Sequence, residues 1–134
     1  MQSYRVRVER SDSLHARASV RDFELRLGAR RADPEAGFNP VETLLSALGD
    51  CLLTALDFVA ERSQIALTGA WIELEANRQD KPPSQTGIRY TLHLTSDAPS
   101  ERIERLVSLA ERNSTVFQTL TRALPVEGSW GMDS

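Results

Sequence analysis

FNPVETLLSALGDCLLTAL, residues 38–56, is the stretch on which the reading of the fold turns. Asn39 offers a side-chain oxygen to an orphan backbone N–H. Pro40 suits the first helical position, where a missing N–H costs nothing. Glu42 stands at the capping-box spacing from Asn39. Val41, Leu44, Leu45, Leu48, Leu52, Leu56 and Val59 then recur at helical spacing, with Cys51 on the edge of that stripe. Thr43, Ser46, Asp50, Thr54, Asp57 and Glu61 make a narrower polar stripe, and Ala47, Leu53 and Phe58 fill the remaining face. The pattern predicts a helix over 40–62, roughly 35 Å long at about 1.5 Å per residue. Most of its circumference is apolar or small, which marks a central helix rather than a surface one. So long a helix suggests a shared core.

Before this stretch the period changes from helical to two. Tyr4, Val6 and Val8 alternate with Arg5, Arg7 and Glu9; Leu14, Ala16, Ala18 and Val20 repeat the alternation, as do Phe23, Leu25 and Leu27. Three short strands follow from this, separated by turns at Ser11-Asp12 and Arg21-Asp22, as a meander. Gly28 to Phe38 reads as a loop. After the helix, residues 67–77 read as a strand with Ile72, Leu74 and Ala76 on one side and Trp71, Glu73 and Glu75 on the other. Arg78 to Gly87, polar and carrying Pro82-Pro83, reads as a hairpin loop. Ile88, Tyr90, Leu92 and Leu94 mark the returning strand. Pro99 opens a second helix ending near Asn113, Ser114 caps a third over Thr115 to Ala123, and Val126 to Trp130 suggests a last strand. Strands grouped apart from helices predict an α+β fold in a single domain over residues 1–134.

Composition narrows the function. The chain has 134 residues, 40% apolar and 26% charged, an ordinary globular balance. Its net charge of −3, from 16 Lys and Arg against 19 Asp and Glu, gives no electrostatic case for nucleic acid. No run approaches the roughly 20 consecutive apolar residues of a membrane helix, and the charged N-terminus predicts no secretory signal. Cys51 is the only cysteine, so no intrachain disulfide can form. A lone thiol suits a reducing, cytoplasmic setting.

Few residues can carry chemistry. Cys51 reads either as a reactive thiolate or as a small core hydrophobe, and pattern alone favours the second. Arg30 and Arg31 could fold over a thiolate and hold a peroxide oxygen, but as loop residues they read first as solvated charges. Glu42 could orient an Arg, yet its position suits the helix cap, and it lies about two and a half turns before Cys51, facing away. His15 and His93 fall on polar strand faces with no ligand spacing. No metal or cofactor is expected, and no phosphate-cradling glycine motif or nucleophile elbow is present.

The segment 38–56 resembles the signature of the OsmC/Ohr family (osmotically inducible protein C and organic hydroperoxide resistance proteins), in which Asn-Pro or Ser-Pro opens the central helix and a reactive Cys lies about three turns in. LAERNSTVFQTL, residues 109–120, resembles the family's second-cysteine motif, a Cys-Pro-Val before a short helix. The resemblance implies an intertwined α+β homodimer, two central helices back to back on antiparallel sheets, and sites at the interface. It implies a peroxidatic role for Cys51 and a thiolate-stabilising role for Arg31. The family's second Cys falls on Ser114. Its catalytic Glu falls on Val41, with Glu42 the nearest carboxylate. In the peroxidase members an organic hydroperoxide oxidises the first Cys, the second Cys condenses with it, and a dithiol restores the enzyme. A serine cannot take the second step. The expectation is therefore a degenerate stress-response member of the hydroperoxide-detoxifying family. The alternative is a one-cysteine, thiol-dependent organic hydroperoxide reductase, whose sulfenic acid an outside thiol or dithiol would have to resolve.

Overall fold

A computed structural model describes residues 1–122 and 124–132 of the chain, which form two compact units, Met1–Ser46 and Ala47–Ser134. In the first unit, β1 (Arg7–Arg10), β2 (His15–Val20) and β3 (Phe23–Gly28) pair antiparallel in the order β1-β2-β3, the predicted meander. The first turn is closed by Asp12, whose Oδ1 accepts from the N–H groups of Leu14 at 2.7 Å and His15 at 2.9 Å. The second turn has only Arg21 and Asp22 between the paired Val20 and Phe23, and Arg21 takes φ 52°, the left-handed conformation a two-residue hairpin turn requires. Strand β1 starts later than the alternation from Tyr4 suggests. Its register, Arg7 opposite Ser19, would put Tyr4 and Arg5 opposite the turn at Asp22 and Arg21, where no strand remains to pair with.

Between β3 and the helix the chain makes a single 3-10 turn, Pro34–Ala36, capped by Asp33. Gly28 donates its N–H to the Phe38 carbonyl at 2.9 Å. A Cβ on Gly28 would lie 3.0 Å from the Gly37 carbonyl oxygen, and Gly37 itself has φ 128°. The two glycines thus let two backbone segments touch and deliver the chain to Asn39.

Helix α1 runs Pro40–Arg62, with the bounds predicted. Both halves of the capping box are made: Asn39 Oδ1 accepts the Glu42 N–H at 2.9 Å, and a Glu42 carboxylate oxygen accepts the Asn39 N–H at 2.9 Å. By length and composition α1 is apolar enough to cross a bilayer, with mean hydropathy 1.6 over an 18-residue window that is 39% buried. The sequence reading passed over this because acids interrupt the run without lowering its average much. A core helix meets the same criteria.

In the second unit, β4 (Gly69–Asp80) and β5 (Pro83–Thr95) form a long antiparallel hairpin, followed by α2 (Ser100–Asn113) and α3 (Thr115–Leu120). Ile72, Leu74 and Ala76 are half-buried while Trp71, Glu73 and Glu75 are exposed, the sidedness expected. The predicted loop from Arg78 to Gly87 is instead mostly strand. Only Lys81 and Pro82 turn, and the pairing slips once beside Asn77 and Arg78. Backbone ladders need no apolar side chains, so a polar hairpin tip reads as loop while pairing as strand. Ala55, Leu56, Val59 and Ala60 of α1 pack with Ile65 and with Leu106 and Ala110 of α2 into one buried cluster, flanked by Leu92, Leu94 and Ile103. Helix α1 comes so near the hairpin that a Cβ on Gly49 would lie 2.9 Å from Leu74 Cδ1 and 3.3 Å from Ile72 Cγ2.

Two C-terminal expectations change. Helix α3 ends at Leu120, with Thr121 as its C-cap, and the predicted last residue, Ala123, lies outside the described residues. No strand forms over Val126 to Trp130: both residues are exposed, and the described chain sets no second strand beside them.

Candidate functional site

Cys51 lies on α1, half-buried and unpaired with any other cysteine. Its Sγ accepts the backbone N–H of Val116 at 3.5 Å. Val116 is in the first turn of α3, where amides lack partners within their own helix. The next amide, Phe117, is taken by the Ser114 hydroxyl at 3.2 Å. The start of α3 is thus capped by two side chains, one from its own N-cap and one from α1. This brings Cys51 and Ser114 to the same helix end.

Ser114 is the most enclosed polar residue of the described chain, with 0% exposure. It also terminates α2, donating its N–H to the Glu111 carbonyl at 3.3 Å, and the Gln118 side-chain amide donates to that same carbonyl at 3.1 Å. Tyr90 of β5 donates its hydroxyl to the Glu111 carboxylate. Burial, and then the hydrogen bond and charge of Glu111, hold the Tyr90 phenol well above its ordinary value near 10. The hairpin is thereby tied to the α2–α3 junction that carries Ser114 and the amide on Cys51.

Arg30, Arg31, Val41 and Glu42 lie in the first unit. Arg31 is exposed in the segment ahead of the 3-10 turn, next to Ala32 at φ 60°, and Arg30 is exposed as well. The Glu42 carboxylate is engaged by the Asn39 N–H, the capping role its spacing suggested. Val41 is half-buried.

The histidines are less solvated than their strand faces implied. His15 Nδ1 lies 3.0 Å from Asp12 Oδ1 and its Nε2 lies 3.1 Å from the Arg26 guanidinium. The same Arg26 nitrogen lies 3.4 Å from Nδ1, so the guanidinium sits over the imidazole ring. The Leu14 N–H, and then His15, hold the Asp12 carboxyl below the ordinary carboxylate value. His93 stacks on Trp71 with centroids 3.9 Å apart and approaches Glu73 at 3.2 Å. Among the described residues, no three His, Cys, Asp or Glu side chains gather as a metal-ligand set.

The sequence model of the family described as OsmC-like protein matches residues 31–129. The chain belongs to the OsmC-like family. No curated protein sequence matches it. Three solved structures place this OsmC-like chain within the fold. The OsmC-like protein from Mycoplasma pneumoniae superposes with a TM-score of 0.83 at 19% identity, covering 90% of this chain and 88% of its own. An organic hydroperoxide resistance protein OsmC from Legionella pneumophila gives 0.70 at 18% identity, covering 88% and 90%. The organic hydroperoxide resistance protein OhrB of Bacillus subtilis gives 0.61 at 16% identity, covering 87% and 89%. At these identities the likeness is one of fold, α+β with antiparallel sheets and a long helix.

Two features around Cys51 and Ser114 were not singled out from the sequence: the Val116 amide on Cys51 and the Tyr90–Glu111 pair. A backbone donor leaves no mark in side-chain chemistry. Tyr90 and Glu111 are far apart in the chain, and each fits its own element's periodicity without the other.

Proposed function

We propose that this OsmC-like protein is a degenerate stress-response member of the hydroperoxide-detoxifying family, which no longer runs the two-cysteine cycle and whose Cys51 no longer reduces peroxide. The observation that carries this reading is Ser114, wholly buried at the helix end that also holds the Cys51 sulfur. The family resemblance puts the second cysteine there. A hydroxyl at that place caps α3 but cannot condense with a sulfenic acid. The test is to treat the reduced protein with one equivalent of cumene hydroperoxide in the presence of a sulfenic-acid trap and read the intact mass. The expected result is an unmodified mass after minutes.

A second reading has its own observation. Cys51 is half-buried rather than sealed, and its sulfur faces the Val116 N–H at a helix start, where amides interact favourably with negative charge. This geometry supports a one-cysteine reductase. The sulfur would attack the terminal peroxide oxygen, breaking the O–O bond. Cys51 would become a sulfenic acid, and the alkoxide would leave as an alcohol after taking a proton from water. A thiol would then displace water to form a mixed disulfide, and a second thiol would release Cys51. Arg31 would stabilise the thiolate, as the resemblance implies. A trapped adduct on Cys51 within seconds selects this reading over the first.

The same proposal covers the assembly. We infer a cytoplasmic homodimer of single-domain chains spanning residues 1–134. Phe23 and Leu25 of the first sheet are 67% and 63% exposed, and Leu44 and Phe58 of α1 are exposed as well. A second copy would cover these apolar side chains, and the lone thiol suits a reducing compartment. Sedimentation at micromolar concentration tests this; a monomer contradicts it.

A further inference from the structure

Beyond Cys51, the second unit carries a cleft of about 510 Å³ between the end of α2 and one face of α3. The volume falls within the range of small-molecule sites. Thr115, Gln118 and Thr119 of α3 and Arg122 just beyond its end supply one side, Arg112 and Asn113 of α2 supply the other, and Ser114 lies between them. Among the described residues, no Asp or Glu lines it.

The donors divide into those already used and those left for a ligand. Asn113 gives its side-chain amide to the Leu109 carbonyl at 2.8 Å, and Gln118 gives its own to the Glu111 carbonyl at 3.1 Å. These two hold the walls. Among the described residues, Arg112 and Arg122 enter no salt bridge, and the Thr115 and Thr119 side chains make no hydrogen bond. Among the described residues, the lining thus includes two arginines and two threonines and no carboxylate. A guanidinium matches a carboxylate or phosphate with paired hydrogen bonds. In a chain of net charge −3 the concentration of positive charge is a local feature rather than the general tone of the surface. Leu124 adds an apolar wall that suits an organic tail.

We propose that this cleft binds a small organic anion, its phosphate or carboxylate head held between Arg112 and Arg122. The site goes beyond the reading of Cys51 and does not depend on it, so the thiol-trapping result and the binding result can fail separately.

The experiment is calorimetric titration of the full chain at low ionic strength, with inorganic phosphate in one series and octanoate in another, and sodium chloride as the control for general screening. The expected result is one saturable site per chain for at least one of the two anions. Arg112→Gln and Arg122→Gln should each weaken binding about tenfold or more. Both arginines are exposed, so circular dichroism should show the variants folded. Saturation by phosphate alone assigns a phosphate head, and saturation by octanoate alone assigns a carboxylate on an apolar tail. Saturation by both assigns the shared anion chemistry. Heats no larger than those with chloride, or a double variant that binds like the native chain, overturn the proposal.

Discussion

Replacing Ser114 with alanine tests the buried cap at the start of α3. The substitution removes the hydroxyl that accepts the Phe117 N–H at 3.2 Å. Loss of a helix N-cap costs about 1 kcal/mol, with a range of roughly 0.5–2. Ser114 has 0% exposure, so water cannot readily take over as acceptor, and the upper part of that range applies, about 1.5–2 kcal/mol. An unfolding entropy of about 2.1 cal/mol/K per residue gives roughly 0.28 kcal/mol/K for 134 residues, so Tm should fall by about 5–7 °C. The assay is thermal and urea unfolding followed by circular dichroism, with the urea m-value expected to stay constant. Ser46→Ala is the control: its exposed hydroxyl only donates back to the Glu42 carbonyl, so stability should stay within about 0.5 kcal/mol. A Ser114→Ala shift no larger than the control's would refute the argument that Ser114 is fixed by capping in a sealed position.

Gly49→Ala sets a helix-propensity gain of about 1 kcal/mol against overpacking of about 1–3 kcal/mol. The new Cβ would stand 2.9 Å from Leu74 Cδ1 and 3.3 Å from Ile72 Cγ2, so a net loss of up to about 2 kcal/mol is expected in urea unfolding, and a clear gain would deny the close helix–hairpin approach. Ultraviolet titration of the phenols should find Tyr90 still protonated above pH 10. Because its folded value is raised, its contribution to stability should be complete below pH 10 and decline as pH rises further, a trend absent in Tyr90→Phe. Ser114→Cys should form a disulfide with Cys51 under mild oxidation, seen as loss of both titratable thiols; thiols that persist would mean that the shared helix end does not align the two side chains.

Much of this fold was legible because local signals agreed with one another. Asn39, Pro40 and Glu42 announced the start of α1, and both cap hydrogen bonds are present. The meander followed from period-two alternation broken at two polar turns. The hairpin tip was misread because Arg78 to Gly87 lacks apolar alternation, while its pairing rests on the backbone. The start of β1 was misplaced because alternation cannot show where the opposing strand ends. Within the site, Cys51 and Ser114 were each visible as residues, and Ser114 was read as a cap from its place before a short helix. What sequence could not carry was their common engagement with the first turn of α3. That depends on a backbone amide meeting a side chain from a distant helix. Arg112 and Arg122 were equally silent, since an arginine on α2 and one just past the end of α3 border a cleft only once the two helices pack.

The most direct test of the proposal that Cys51 no longer supports peroxidase turnover is steady-state consumption of cumene hydroperoxide by the reduced native protein, with a lipoyl-type dithiol as the only reductant. With serine at position 114, consumption should not rise above the protein-free rate. Sustained turnover of many equivalents per chain would contradict the account and make Cys51 a working peroxidatic thiol without an internal partner.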